Sequence, residues 1–183
     1  KMAGQGIELP AEGHYAVGYL FMPQDTGLRA HCENIVREVV AAEGQVLIGF
    51  RDVPVDTSSL SKAPDIAATE PFHRQVFIGR GAGIASDDDF ERRLYILRKV
   101  ISGRIYAETE GRDNGFYIVS MSSRTIIYKG MFLAYQVGAY YRDLADPAFT
   151  SALALVHQRF STNTFPSWKL AHPYRMIAHN GEI

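Results

Sequence analysis

A chain of 183 residues with 46% hydrophobic and 21% charged side chains can bury a conventional core and lacks the bias of disordered or fibrous sequences. Nineteen basic residues against twenty acidic ones give a net charge of -1, with no like-charge run longer than Asp87, Asp88, Asp89, so nucleic acid and anionic membrane are poor partners. A single cysteine, Cys32, excludes an internal disulfide framework and a cysteine-based zinc cluster, and the absence of a long apolar span or a secretory pattern predicts a cytoplasmic setting.

Tyr15, Val17, Tyr19 and Phe21 alternate with smaller residues, which predicts a strand over 15–21 with one heavily packed face. Leu28, Cys32, Ile35, Val36, Val39 and Val40 recur at helical spacing, and Gly44 stands where a left-handed cap would end that helix. Cys32 lies on this apolar stripe and reads as a small core residue rather than a reactive thiol. Gln45 to Val55 reads as a second strand closed by Pro54, residues 56–71 as a loop, and Arg74 to Ile78 as a third strand. Asp88 with Glu91 three residues on is a capping pattern for a helix whose Phe90, Leu94, Leu97 and Ile101 share one face and whose end falls near Gly103.

Farther on, Phe116 to Met121 and Thr125 to Tyr128 flank Ser122-Ser123-Arg124 and predict a hairpin. Residues 131–145 fit either a short helix or an irregular crossing, Ala152 to Val156 a buried strand, and Met176-Ile177-Ala178 a last strand. The chain starts Lys1-Met2 and stops at Ile183, so both ends read as cut. Hairpins mixed with amphipathic helices favour an α+β layering over regular βαβ alternation.

Three features invite chemistry. Gly79-Arg80-Gly81-Ala82-Gly83 stands between a strand and a helix, but a dinucleotide fingerprint needs glycine where Ile84 is, and three carboxylates follow, so a tight turn is the better reading. His14, His31, His73 and His172 show no ligand spacing and read as surface or structural, while Asp87 to Asp89 suit a helix N-terminus better than a calcium loop, so no metal is expected. The third feature is the pair His157-Gln158-Arg159-Phe160-Ser161-Thr162-Asn163-Thr164 and His179-Asn180-Gly181-Glu182-Ile183. Singly, the arginine fits a solvated charge at a strand end, and Asn-Gly fits a hairpin turn.

Together the two segments resemble the class II glutamine amidotransferases, which free ammonia from glutamine with an N-terminal nucleophile. The stretch from Phe160 to Ile183, FSTNTFPSWKLAHPYRMIAHNGEI, is similar to the glutamate synthase branch in particular. Weaker similarity covers Gly13 to Gly44 and Pro71 to Ile105, so nearly the whole chain is read as one partial glutamine amidotransferase domain, residues 1–183. The resemblance implies a four-layer αββα sandwich, here lacking edge strands at both ends. It also implies that Arg159 holds the glutamine α-carboxylate in a bidentate fork, with Phe160 and Thr162 walling the pocket, and that the Asn180 amide and Gly181 N–H form the oxyanion hole.

In that family the nucleophile is an N-terminal cysteine whose own amine is the base; the chain begins with Lys1, and Cys32 is internal, so this piece by itself is expected to be inactive. The resemblance further implies that ammonia passes to a synthase site that reductively aminates 2-oxoglutarate. Flavin mononucleotide, an iron–sulfur cluster and electrons from NADPH or ferredoxin belong to that other part, with the rest of the large subunit and a small reductase subunit as partners. A plastid setting follows if the parent is the plant-type ferredoxin enzyme. The alternative is a non-catalytic glutamine-binding or scaffold module; the third option, a sugar or purine-precursor amidotransferase, is disfavoured by Thr162-Asn163-Thr164-Phe165-Pro166.

Overall fold

In the computed structural model, residues 6–158 and 165–176 are described. Along the chain run β1 (Tyr15–Met22), α1 (Thr26–Ala42), β2 (Val46–Asp52), α2 (Pro64–Ala68), β3 (Phe72–Gly79), α3 (Asp87–Glu108), β4 (Tyr117–Ser122) and α4 (Gln136–Tyr140). They fall into two compact units, the first made of Lys1–Asp52 and Pro71–Ile126, the second of Val53–Glu70 and Ile127–Ile183. The architecture is mixed, with helices and an antiparallel sheet, as the pattern of the sequence predicts.

The first unit is built on a four-stranded sheet of order β2-β3-β1-β4 in which every neighbouring pair is antiparallel. Strand side chains alternate between faces, so Ala16, Leu20 and Met22 of β1 join Val76 and Ile78 of β3 on one side. Against them pack Cys32, Ile35, Val36, Val39 and Val40 of α1 and Phe90, Leu94, Leu97, Ile101 and Ile105 of α3. Each large apolar side chain fully buried there contributes about 1.5–3 kcal/mol. The opposite face carries Tyr19, Phe21, His73, Gln75 and Phe77, which are also buried.

Helix α1 starts where Asp25 accepts a hydrogen bond from the Leu28 N–H at 2.7 Å and stops before Gly44, whose φ of +70° supplies the expected left-handed turn. Helix α3 departs from expectation at both ends. Its N-cap is Ser86, whose Oγ accepts from the Asp89 N–H at 3.1 Å; this places three carboxylates in the first turn, where the helix dipole favours them. Glu91, freed from a capping box, instead accepts from the Ser123 N–H at 2.6 Å and from the hydroxyls of Ser122 and Ser123. Gly103 does not end the helix, because Ile105 lies in the core two residues later and its burial outweighs a glycine penalty of about 1 kcal/mol.

The expected hairpin is not formed: β4 is a strand, whereas residues 125–128 join no ladder. The intervening turn is closed on itself by Ser122 Oγ, which accepts from the N–H groups of Arg124 and Thr125, and is tied to α3 through Glu91. These bonds satisfy the N–H groups of Ser123, Arg124 and Thr125.

In the second unit the stretch expected to be a loop contains a 3₁₀ turn, Thr57–Leu60, capped by Asp56, and α2, which opens on Pro64. Residues 131–145 resolve into α4 followed by a 3₁₀ turn, Arg142–Ala145. Phe132, Tyr140, Tyr141 and Trp168 pack edge-on and tilted, with centroids 4.6 Å apart for Phe132–Tyr140 and 5.3 Å for Phe132–Trp168. A Cβ on Gly130 would stand 2.6 Å from the Trp168 ring, so glycine there lets the backbone approach the indole. Ala152 to Val156 is not a buried strand. Leu153 and Val156 are 84% and 85% exposed, and no described segment pairs with the run, so its apolar composition lacks the ladder partner that a strand requires. Ile177 and Ala178 of the last predicted strand lie outside the described residues.

Candidate functional site

All five predicted site residues lie outside the described residues: Arg159, Phe160 and Thr162 within 159–164, Asn180 and Gly181 within 177–183. Their flanks are described, and the second unit brings these together. The His157 ring, two residues before Arg159, lies 4.6 Å from the His172 ring, and His172 lies 4.5 Å from the Tyr174 ring, six residues before Asn180. The described residue His157 thus lies against His172 of the following loop.

That connecting loop is anchored at three points. Trp168 is buried and its Nε1–H donates to the Ile66 carbonyl at 3.3 Å. Lys129, 2% exposed, donates from Nζ to the Lys169 carbonyl at 2.8 Å while its ammonium sits 4.8 Å from the Tyr174 ring centroid. The Tyr174 hydroxyl closes back on the Leu170 carbonyl at 2.9 Å. Burial, reinforced by Arg175, lowers the Lys129 amine to about 7. Desolvation together with the charges of His157 and Lys129 lowers the His172 imidazole from its usual value. Lys129, Arg175 and the rings of His157 and His172 thus gather around one loop.

Lys129, Trp168 and Tyr174 are not among the residues picked out from the sequence, and His172 reads there only as surface or structural. A usable clue is present: Lys129 is the one charge in the apolar run Ile126-Ile127-Tyr128 to Met131-Phe132-Leu133, a placement in which an ammonium either snorkels or finds buried partners.

Elsewhere the described residues support the plain readings. Cys32 is fully buried on α1, and burial pushes its thiol up to about 11, far from the thiolate a nucleophile needs. Cys32→Ala is expected to loosen α1 by about 1 kcal/mol in amide exchange; protection equal to wild type would show that the thiol adds nothing to the packing of α1. A Cβ on Gly81 would stand 2.0 Å from the Gly44 carbonyl oxygen, so the glycine run serves a close backbone crossing, sealed by the Gly81 N–H donating to Gln45 Oε1 at 2.9 Å. Asp87, Asp88 and Asp89 are paired with Arg80, Arg124 and Arg92 respectively. Among the described residues no three His, Cys, Asp or Glu side chains converge as a metal cage. None of the described helices is long and apolar enough to cross a membrane.

The sequence motifs and the mixed α and β architecture are consistent with a wider comparison. The chain belongs to the family Glutamine amidotransferases class-II, whose profile matches residues 1–183. Within it, the chain is similar to the glutamate synthase (NADPH) large chain of Bacillus subtilis (strain 168), at 45% identity over 179 residues, covering 98% of this chain and 11% of that one. It is 39% identical over 182 residues to the ferredoxin-dependent glutamate synthase 2, chloroplastic, of Arabidopsis thaliana, again covering 98% of this chain and 11% of the relative. Glutamate synthase (NADH) of Schizosaccharomyces pombe (strain 972 / ATCC 24843) is 39% identical over 189 residues, covering 100% of this chain and 9% of that one. The chain therefore spans about a tenth of the length of the curated relatives it matches.

Proposed function

We propose that these residues form part of the glutamine-hydrolysing domain of a glutamate synthase large subunit, in a parent protein that splits glutamine into glutamate and ammonia. The observation that carries this reading is the match of residues 1–183 to the class-II glutamine amidotransferase family. Glutamine binds with its α-carboxylate in the planar fork of Arg159, a geometry that a point charge does not match. Phe160 and Thr162 wall the pocket. A cysteine thiolate attacks the side-chain amide carbon, and the resulting oxyanion is held by the Asn180 amide and the Gly181 N–H. The carbon–nitrogen bond then breaks with a proton delivered to the leaving ammonia, and water cleaves the thioester to release glutamate. Cys32, buried in the α1 stripe, is not that nucleophile.

The four-layer αββα sandwich belongs to this proposal. Its support is the sheet of the first unit, with helices on one face and the buried Tyr19, Phe21 and Phe77 on the other. In the parent, ammonia reacts at a separate site with 2-oxoglutarate under reduction from NADPH or ferredoxin. The flavin mononucleotide and iron–sulfur cluster that this chemistry calls for belong to that other part of the parent; a cluster needs several thiolates, and this chain has one buried cysteine. The parent's rest of the large subunit and a small reductase subunit complete the enzyme, in the cytoplasm or, for a ferredoxin-type parent, in the plastid. The single buried cysteine also favours a second reading for these residues in isolation, a glutamine-binding or scaffold module.

The test is Arg159→Lys in the full-length protein. Replacing the fork by an ammonium should raise the glutamine KM by roughly tenfold with a smaller effect on kcat, because the lost contact is made equally in ground and transition states. A KM equal to the wild-type value would remove Arg159 from the carboxylate, and failure of the wild-type protein to release ammonia from glutamine would remove the reading itself.

A further inference from the structure

Helices α1 and α3 pack on the same face of the sheet and against each other, yet their outward sides differ in kind. The outward side of α1 carries Ala30, His31, Asn34, Arg37, Glu38 and Ala41, a composition suited to water. That of α3 carries Tyr95, Ile96, Val100 and Tyr106, all exposed, with Tyr95 at 52% and Tyr106 at 65%. The helical period sets these four on the side opposite Leu94, Leu97, Ile101 and Ile105, so they form one stripe rather than scattered surface residues. Gly103 lies within the stripe, three residues from Val100 and from Tyr106. A Cβ there would meet nothing within 4 Å among the described residues, so no described contact asks for glycine, and alanine would suit a helix interior better. Lys99 stands on the same stripe. Its ammonium lies 5.9 Å from the Tyr95 ring centroid and pairs with no described carboxylate.

We propose that the outward side of α3 is the surface by which this domain docks onto the remainder of its own large polypeptide. The facing patch presents apolar side chains to Tyr95, Ile96, Val100 and Tyr106, approaches closely over the bare backbone of Gly103, and sets a carboxylate against Lys99. This rests on the proposed function above. The occupant belongs to the same molecule because the chain spans about a tenth of the length of the relatives it matches. A covalently joined neighbour is held at high effective concentration, so a stripe of modest area suffices to dock it. Left uncovered, four exposed apolar side chains along one helix would invite unspecific association. Lys99 supplies the register: an apolar stripe alone accepts a partner in several positions, whereas one unpaired charge calls for an opposite charge at one place. Glycine at 103 has its reason in the same contact, since a side chain there would hold the partner off.

The experiment puts the photoreactive amino acid p-benzoylphenylalanine in place of Tyr95 in the full-length protein, an aromatic for an aromatic at an exposed site, and identifies the joined peptides by mass spectrometry after irradiation. The same probe in place of Asn34, on the outward side of α1, is the reference. The expected result is a cross-link within one polypeptide, to a peptide outside residues 1–183 that contains Asp or Glu, in a yield at least about fivefold above that of the reference. Gly103→Leu, which has room inside the domain, and Lys99→Glu, which reverses the charge, should each lower that yield by about fivefold or more. A cross-link joining two polypeptides makes the stripe a contact between copies and overturns the inference. A yield no higher than that of the reference overturns it as well. If the Tyr95 variant does not fold, the probe in place of Tyr106 decides by the same readings. Wild-type protein that releases no ammonia from glutamine sinks the proposed function and leaves the cross-link map standing, which keeps the two failures distinct.

Discussion

Alanine at position 180 is expected to lower kcat for glutamine hydrolysis by about 10²–10³ in the full-length protein, the usual effect of losing one oxyanion donor. The glutamine KM should stay within about twofold. The asymmetry follows from when the Asn180 amide acts. Before attack the glutamine side-chain oxygen is a neutral amide acceptor; after attack it carries a full charge, and the hydrogen bond from Asn180 strengthens with it. Gly181 contributes the second donor from its backbone and survives the substitution, so activity is reduced rather than abolished. A turn residue behaves differently. If Asn180 only supports an Asn-Gly turn, alanine disfavours its left-handed backbone, and the cost appears as a lowered melting temperature with near-normal kcat. Kinetics and melting on the same variant distinguish the two, and the second pattern would leave Asn180 structural.

Acidification is expected to destabilise the first unit through His73. The His73 imidazole is buried on the sheet face away from the helical core, where the Tyr19 hydroxyl lies 3.1 Å from its Nδ1, and desolvation lowers its pKa to about 3. An unfolded histidine titrates near about 6.5, so between pH 6.5 and 3 the unfolded chain binds a proton that the folded chain does not. Stability therefore falls as pH falls through that window, by up to about 1.4 kcal/mol per pH unit and of order 4 kcal/mol in all. His73→Gln retains an acceptor for the Tyr19 hydroxyl but has no proton to gain. Amide exchange of β1 and β3, corrected for intrinsic rates, should lose protection steeply in the wild type between pH 6 and 4, and much less steeply in the variant. Parallel loss in both proteins would show that other groups govern the acid response.

The helical faces of α1 and α3 were largely legible in the sequence, because an amphipathic period of 3.6 residues is a local pattern; only Leu28, partly buried, and Ile105, beyond the expected end of α3, depart from it. The cap at Gly44 and the strands β1 and β3 were legible for the same reason, since each depends on near neighbours. The family was legible as well, carried by residues whose chemistry is written in their identity: Arg159, Asn180 and Gly181. Tertiary structure decided what depends on a distant partner. Glu91 left its expected capping role because Ser122 and Ser123 offered four contacts from the end of β4. Ala152 to Val156 has the composition of a strand, yet pairing is a property of two segments, and composition describes one. Lys129 is the sharpest case. Its identity predicts a solvated surface charge; the Lys169 carbonyl and the Tyr174 ring, which partner the buried amine, lie 40 and 45 positions away along the chain.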